Sequence, residues 1–129
     1  MKITQFTDFS FRLLIYLSRV EDRVVTVREI ADHHGISAEH LKKVVRSLAD
    51  LGHIKTVRGK KGGLKLSRAP GEIELGALIR DQENLALLPC FEESCATCAT
   101  QDCKLRHLVD VALSAFLAAF DGKTLADVL

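Results

Sequence analysis

The sequence predicts a mostly α-helical chain with one small β-hairpin. Three observations predict it. Apolar residues recur at helical spacing early and late in the chain, two short alternating stretches flank "KKGG", and Ser, Thr and Gly punctuate the helical segments. At 129 residues the chain fits one domain with room for an appended element. With 47% hydrophobic and 27% charged residues it can bury a core and stay soluble, and it lacks the composition of a disordered chain.

Residues 5–20 read as the first helix, with Phe6, Phe9, Leu13, Leu14 and Leu17 on one apolar face, and "RVEDR" breaks it. Residues 26–34, "TVREIADHH", make a short second helix. Thr26 caps it, Glu29 stands where a capping box needs it, and Gly35 stops it. Ser37 is expected to cap the third helix, "SAEHLKKVVRSLADLG". Its buried stripe is Leu41, Val44, Val45, Leu48 and Leu51, and His40, Lys42, Lys43, Arg46 and Ser47 lie off it. Two short helices around a Gly-containing turn, the second one basic, form a helix-turn-helix. "IKTVRG" and "LKLS" around "KKGG" add a hairpin with a basic, glycine-rich tip. Together they make a winged helix-turn-helix, assigned to residues 1–70.

Residues 71–129 hold the rest: a short helix over about 74–81, a cysteine loop at 90–103, and a long helix from Lys104 to about Phe120. On that helix Leu105, Leu108, Val109, Ala112, Phe116, Leu117 and Phe120 form a stripe that must be buried against something. A two-fold partner is the simplest solution, and packing against its own domain is the alternative. "DGKTLADVL" closes the chain with a turn at Asp121-Gly122 and a cap at Thr124.

The net charge of +1 hides an asymmetry. Residues 40–68 carry nine Lys/Arg against one acid, Asp50, whereas residues 70–129 carry four Lys/Arg against ten Asp/Glu. A charge run is usually a solvated face. Here it coincides with the helix-turn-helix and wing, so it reads as a face for double-stranded DNA. Ser37, Ala38, Glu39, His40, Lys42 and Lys43 stand where bases would be read. Arg46, Arg58, Lys60 and Lys61 would supply phosphate contacts. The chain shows no nucleophile-plus-base pairing and no phosphate-binding loop, so an enzyme is not expected. The N-terminus carries an acid and an arginine within its apolar stretch and no small-residue cleavage site follows; no membrane span is visible, and a cytoplasmic protein is expected.

All four cysteines, Cys90, Cys95, Cys98 and Cys103, fall in "CFEESCATCATQDC". In a reducing compartment such clustering points to metal or redox chemistry before structural disulfides. Spacing leaves structural zinc, an iron–sulfur cluster and a metal-free disulfide switch open.

The stretches "MKITQFTDFSFRLLIYL", "VREIADHHGIS", "HLKKVV", "CF", "CKL" and "FLAAFDGKTLADVL" resemble the Rrf2 family of bacterial winged-helix repressors over nearly the whole chain. Within it "TDF" and "TLADVL" resemble the nitric-oxide-sensing NsrR branch more than the IscR-type iron–sulfur or iron-status regulators. The resemblance implies a homodimer with a cluster in each subunit, 4Fe-4S in preference to 2Fe-2S. Three loop cysteines would hold it together with an aspartate of the partner's first helix, here Asp8; the first turn of a helix also favours an acid there. Cys90 and Cys103 match the outer ligands. Cys98 is preferred over Cys95 as the middle one: Cys98 falls one residue short of the family's spacing to Cys103, whereas Cys95 has an acceptable spacing from Cys90 but lies too far from Cys103, and a four-cysteine site remains open. The histidine of IscR-type proteins is replaced by Arg106, with His107 one residue further on.

Overall fold

The computed structural model describes residues 1–92 and 102–129. Its elements are α1 (Gln5–Arg19), α2 (Val27–His34), α3 (Ala38–Asp50), β1 (Ile54–Val57), β2 (Gly63–Leu66), α4 (Leu75–Gln82) and α5 (Lys104–Ala118). Short 3-10 turns lie at Pro70–Glu72, Pro89–Phe91 and Leu125–Val128. The chain divides into two compact units, Ile3–Ile73 with Thr124–Leu129, and Glu74–Lys123 with Met1–Lys2.

The first unit, the head, is a helix-turn-helix with a wing. Thr4 caps α1 by accepting from the Thr7 amide, a cap not recognised in the sequence. Leu13, Leu14 and Leu17 of α1 are buried with Ile30 and Ala31 of α2 and Leu41, Val44, Val45 and Leu48 of α3. Each fully buried leucine contributes about 1.5–3 kcal/mol of transfer free energy. Phe6, Phe9 and Leu51, placed on the same stripes from the sequence, are only half-buried: Phe6 and Phe9 line an open groove with His40 and Lys43, and Leu51 lies past the end of α3. The turn between α2 and α3 runs through Gly35 at φ +64°, a left-handed position that ends α2. Ser37 occupies the N-cap of α3 but its hydroxyl makes no cap bond.

β1 and β2 pair antiparallel with Ile54 opposite Leu66 and Lys55 opposite Lys65. Val25 adds an isolated antiparallel bridge to β2, exchanging backbone bonds of 2.9 and 2.6 Å with Leu64. That bridge explains the second glycine of "KKGG": a Cβ on Gly63 would stand 2.5 Å from the Val25 carbonyl.

In the second unit, Arg80 of α4 makes a two-pronged bond to Asp121 at 2.6 and 2.9 Å. Leu75, Leu78, Ile79 and Leu117 are buried. The helices end close to where their periodicity predicted, but the expected stripe on α5 is largely uncovered. Leu105 and Leu108 of that stripe are 60% and 65% exposed, and Val111 beside it is 50% exposed. Only toward its C-terminal end does the helix bury apolar groups, with Leu117 covered and Phe116 and Phe120 packed ring to ring at 5.2 Å. Among the described residues, no helix is long and apolar enough to cross a membrane.

Candidate nucleic-acid interface and cysteine site

Burying the Leu41–Val44–Val45–Leu48 face of α3 turns its opposite face to solvent. Ser37, Ala38, Glu39, His40, Lys42, Lys43 and Arg46 are all exposed, as are Arg58, Lys60 and Lys61 in the wing. The face is not uniformly free. Lys42 Nζ lies 2.9 Å from Glu39 Oε1, and that bond, with the added charge of Lys43, holds the Glu39 carboxyl below its usual range. Glu39 therefore presents a carboxylate, which accepts from a base amino group and repels phosphate. Lys43 and Arg46 make no ion pair among the described residues.

The same head holds a cluster that sequence reading missed. Thr26 Oγ1 accepts from the Glu29 amide at 3.1 Å, as the capping box requires. The Glu29 carboxylate, however, goes elsewhere. It accepts from Tyr16 at 2.8 Å and from both Arg23 guanidinium nitrogens at 2.6 and 3.0 Å. The Arg23 and Tyr16 bonds pull its pKa down to about 2, and the same carboxylate holds the Tyr16 hydroxyl up. This ties α1 and the turn after it to the start of α2. An arginine spaced six residues before a helical glutamate was the only signal in the sequence, and it is a weak one. Tyr16 also packs against His33 at 4.8 Å, and His33 against His34 at 4.7 Å. Burial, then the charge of His33, lowers the His34 pKa.

Asp8 sits in the first turn of α1, half-exposed, with its carboxylate 2.8 Å from Arg12 Nε. Cys90 lies in the Pro89–Phe91 turn and Cys103 is the N-cap of α5; both are half-buried free thiols. The Cys103 carbonyl accepts the first bond of α5 from His107 at 3.1 Å. Cys103 opens onto a cavity of about 540 Å³ lined also by Phe91, Asp102, Arg106, His107 and Asp110. The Arg106 guanidinium lies over the Phe91 ring at 5.6 Å. Cys95 and Cys98 lie outside the described residues. Among the described residues no group of three His, Cys, Asp or Glu side chains is assembled to hold a metal ion. The donor chemistry of Cys90 and Cys103, two free thiols of which Cys103 opens onto the cavity, fits a thiolate-held iron–sulfur centre.

A two-helix motif with an exposed basic face and a basic hairpin defines a winged-helix DNA-binding module, here followed by a cysteine-bearing unit. The Rrf2 family, described as "Iron-dependent Transcriptional regulator", matches residues 3–129. The chain belongs to this family and is a transcriptional regulator, not an enzyme. It is 40% identical to the HTH-type transcriptional regulator NsrR of Geobacillus kaustophilus, over all of this chain and 90% of that one. It is 39% identical to the NsrR of Bacillus licheniformis, over all of this chain and 92% of that one. Among solved structures, T. potens IscR superposes with a TM-score of 0.80 at 22% identity, covering 99% of this chain and 85% of that one. CymR, the global cysteine regulator of B. subtilis, also gives 0.80, at 23% identity and 99% and 95% coverage. These two likenesses bear out the winged-helix fold.

Proposed function

We propose that the chain is a dimeric, cytoplasmic repressor whose binding to a two-fold DNA operator is controlled by an iron–sulfur cluster that senses nitric oxide. The observation that carries the DNA reading is that Ser37–His40, Lys42, Lys43 and Arg46 are all exposed on the helix whose other face forms the core. The start of α3 reads base edges, while Arg46 and the wing residues Arg58, Lys60 and Lys61 neutralise phosphates. The uncovered Leu105, Leu108 and Val111 support pairing of α5 with a second copy.

Cys90 and Cys103 would hold the cluster with Cys98, or Cys95 in its place, and with Asp8 from the partner subunit. When bound, the cluster supplies the iron that nitric oxide attacks. Cys90 lies within one short turn and Cys103 caps α5, so thiolates gathered on one centre would fix the two ends of the segment they bracket. Asp8 reaching across the dimer would tie α1 of one subunit to the other. Release of these ligands frees the recognition helices from the spacing that matches the operator.

Anaerobic purification, a visible spectrum and iron and sulfide counts test this reading. A brown protein that bleaches with nitric oxide and releases operator DNA supports it. Asp8→Ala and Cys95→Ala, followed through the spectrum and the iron count, then separate the ligand sets. A colourless zinc protein, or a metal-free one that binds DNA equally tightly with and without nitric oxide, overturns it.

A further inference from the structure

The wing holds three cations that neither base reading nor the wing tip uses. Lys55 and Lys65 are cross-strand partners in the hairpin. Directly opposed side chains of such a pair stand about 5 Å apart on one face, and like charges there are destabilising. Arg68 follows just beyond β2, its guanidinium beside Gly52. The three line one open cleft of about 490 Å³ in the head. None of them makes an ion pair among the described residues, although Glu21 and Asp22 line the same cleft. Folding stability alone would favour opposite charges at these positions. A like-charge pair left unneutralised on a basic hairpin is the mark of an external polyanion.

We infer that Lys55, Lys65 and Arg68 form a second phosphate-contact row, taking the DNA backbone beyond the segment held by the wing tip. This rests on the DNA reading above and extends its footprint. Lys55 precedes Arg58 by three residues, about 10 Å along an extended strand, which corresponds to roughly three base pairs of duplex. The hairpin thus carries one track of positive charge from Arg58, Lys60 and Lys61 at its tip to Lys55, Lys65 and Arg68 at its base. Glu21 and Asp22 argue against a small free anion. Such an anion must enter the cleft whole and meet their carboxylates, whereas a duplex laid across the hairpin meets the exposed Lys55 and Arg68 and the half-buried Lys65.

The test compares two duplexes by fluorescence anisotropy across a salt series, using anaerobically prepared full-length protein. One is the shortest duplex, selected from a random pool, that retains specific binding. The other is the same duplex with a helical turn of mixed sequence added at each end. The variant is Lys55→Gln/Lys65→Gln/Arg68→Gln, with Lys123→Gln as a charge control and thermal unfolding to confirm the fold. Wild type should bind the longer duplex on the order of tenfold tighter, and the triple variant should bind both alike. On the longer duplex the variant's slope of log affinity against log salt should be shallower by about 2.7, at 0.9 per lost phosphate contact. An unchanged slope overturns the inference, and so does an equal loss on the short duplex. If wild type binds neither duplex, the DNA reading itself fails and this inference with it.

Discussion

The two helices that carry most of the functional reading, α3 and α5, handle their apolar residues in opposite ways. In α3 the stripe Leu41, Val44, Val45 and Leu48 is buried within its own head, and the charged face is left to solvent. In α5 the apolar residues Leu105, Leu108 and Val111 are themselves the exposed ones. Both helices have the apolar spacing of a buried element. The difference is where the covering surface comes from: the same chain for α3, and a second copy, on the proposal made here, for α5. Exposed charge on a self-covered helix marks a recognition surface. Exposed leucine on an otherwise soluble helix marks an assembly surface.

This contrast can be broken most sharply on α5. Leu105→Glu with Leu108→Glu should yield a folded monomer in sedimentation, with thermal unfolding of the head retained. Its operator affinity should fall by about 10²–10⁴, the gain that linking two half-site modules supplies. A dimer that persists would show that another surface joins the copies. Leu48→Ala should do the reverse. It should cost about 2–5 kcal/mol in denaturant unfolding, because it opens a cavity in the head.

Smaller effects sharpen the account of how the head is held. Glu29 ionises at about 2 in the folded chain, below its ordinary value of 4.5, because Arg23 and Tyr16 donate to it. A lowered carboxyl pKa stabilises the fold above the unfolded value, and the benefit is lost as pH falls from about 4.5 through about 2. Glu29→Gln should therefore unfold more easily at neutral pH and show a flatter dependence on acid over that window, read by thermal midpoint. The smallest contrast is between two caps. Thr26→Ala should cost about 1 kcal/mol, since its hydroxyl accepts from Glu29. Ser37→Ala should change stability by no more than about 0.5 kcal/mol, since Ser37 makes no cap bond, and any larger effect on operator binding would place its hydroxyl at the DNA.

Much of the head was legible because its signals are local. Helical spacing, Gly35 and the "KKGG" turn each act within a few residues, and the described helices lie close to where those signals put them. The Val25–Leu64 bridge and the Tyr16–Glu29–Arg23 cluster were not legible. They depend on distant residues meeting, and Glu29 was read through the nearer capping-box pattern while its carboxylate found stronger donors. The candidate DNA residues were legible as a charge pattern on a helix face, and all of them are exposed. The cysteine segment was legible as chemistry only, because four thiols in fourteen residues admit several ligand sets.

The head is not one continuous stretch of sequence. After the second unit the chain returns, and Leu125, fully buried, donates its amide to the Ile73 carbonyl at 2.9 Å. The closing "TLADVL" thus acts as a clasp on the DNA-binding module. A fragment ending after the wing would keep every candidate DNA residue and still lack that clasp. The DNA-binding head and the cysteine-bearing unit are therefore interleaved along the sequence. A frameshift late in the reading frame, far from any recognition residue, would loosen the recognition module itself.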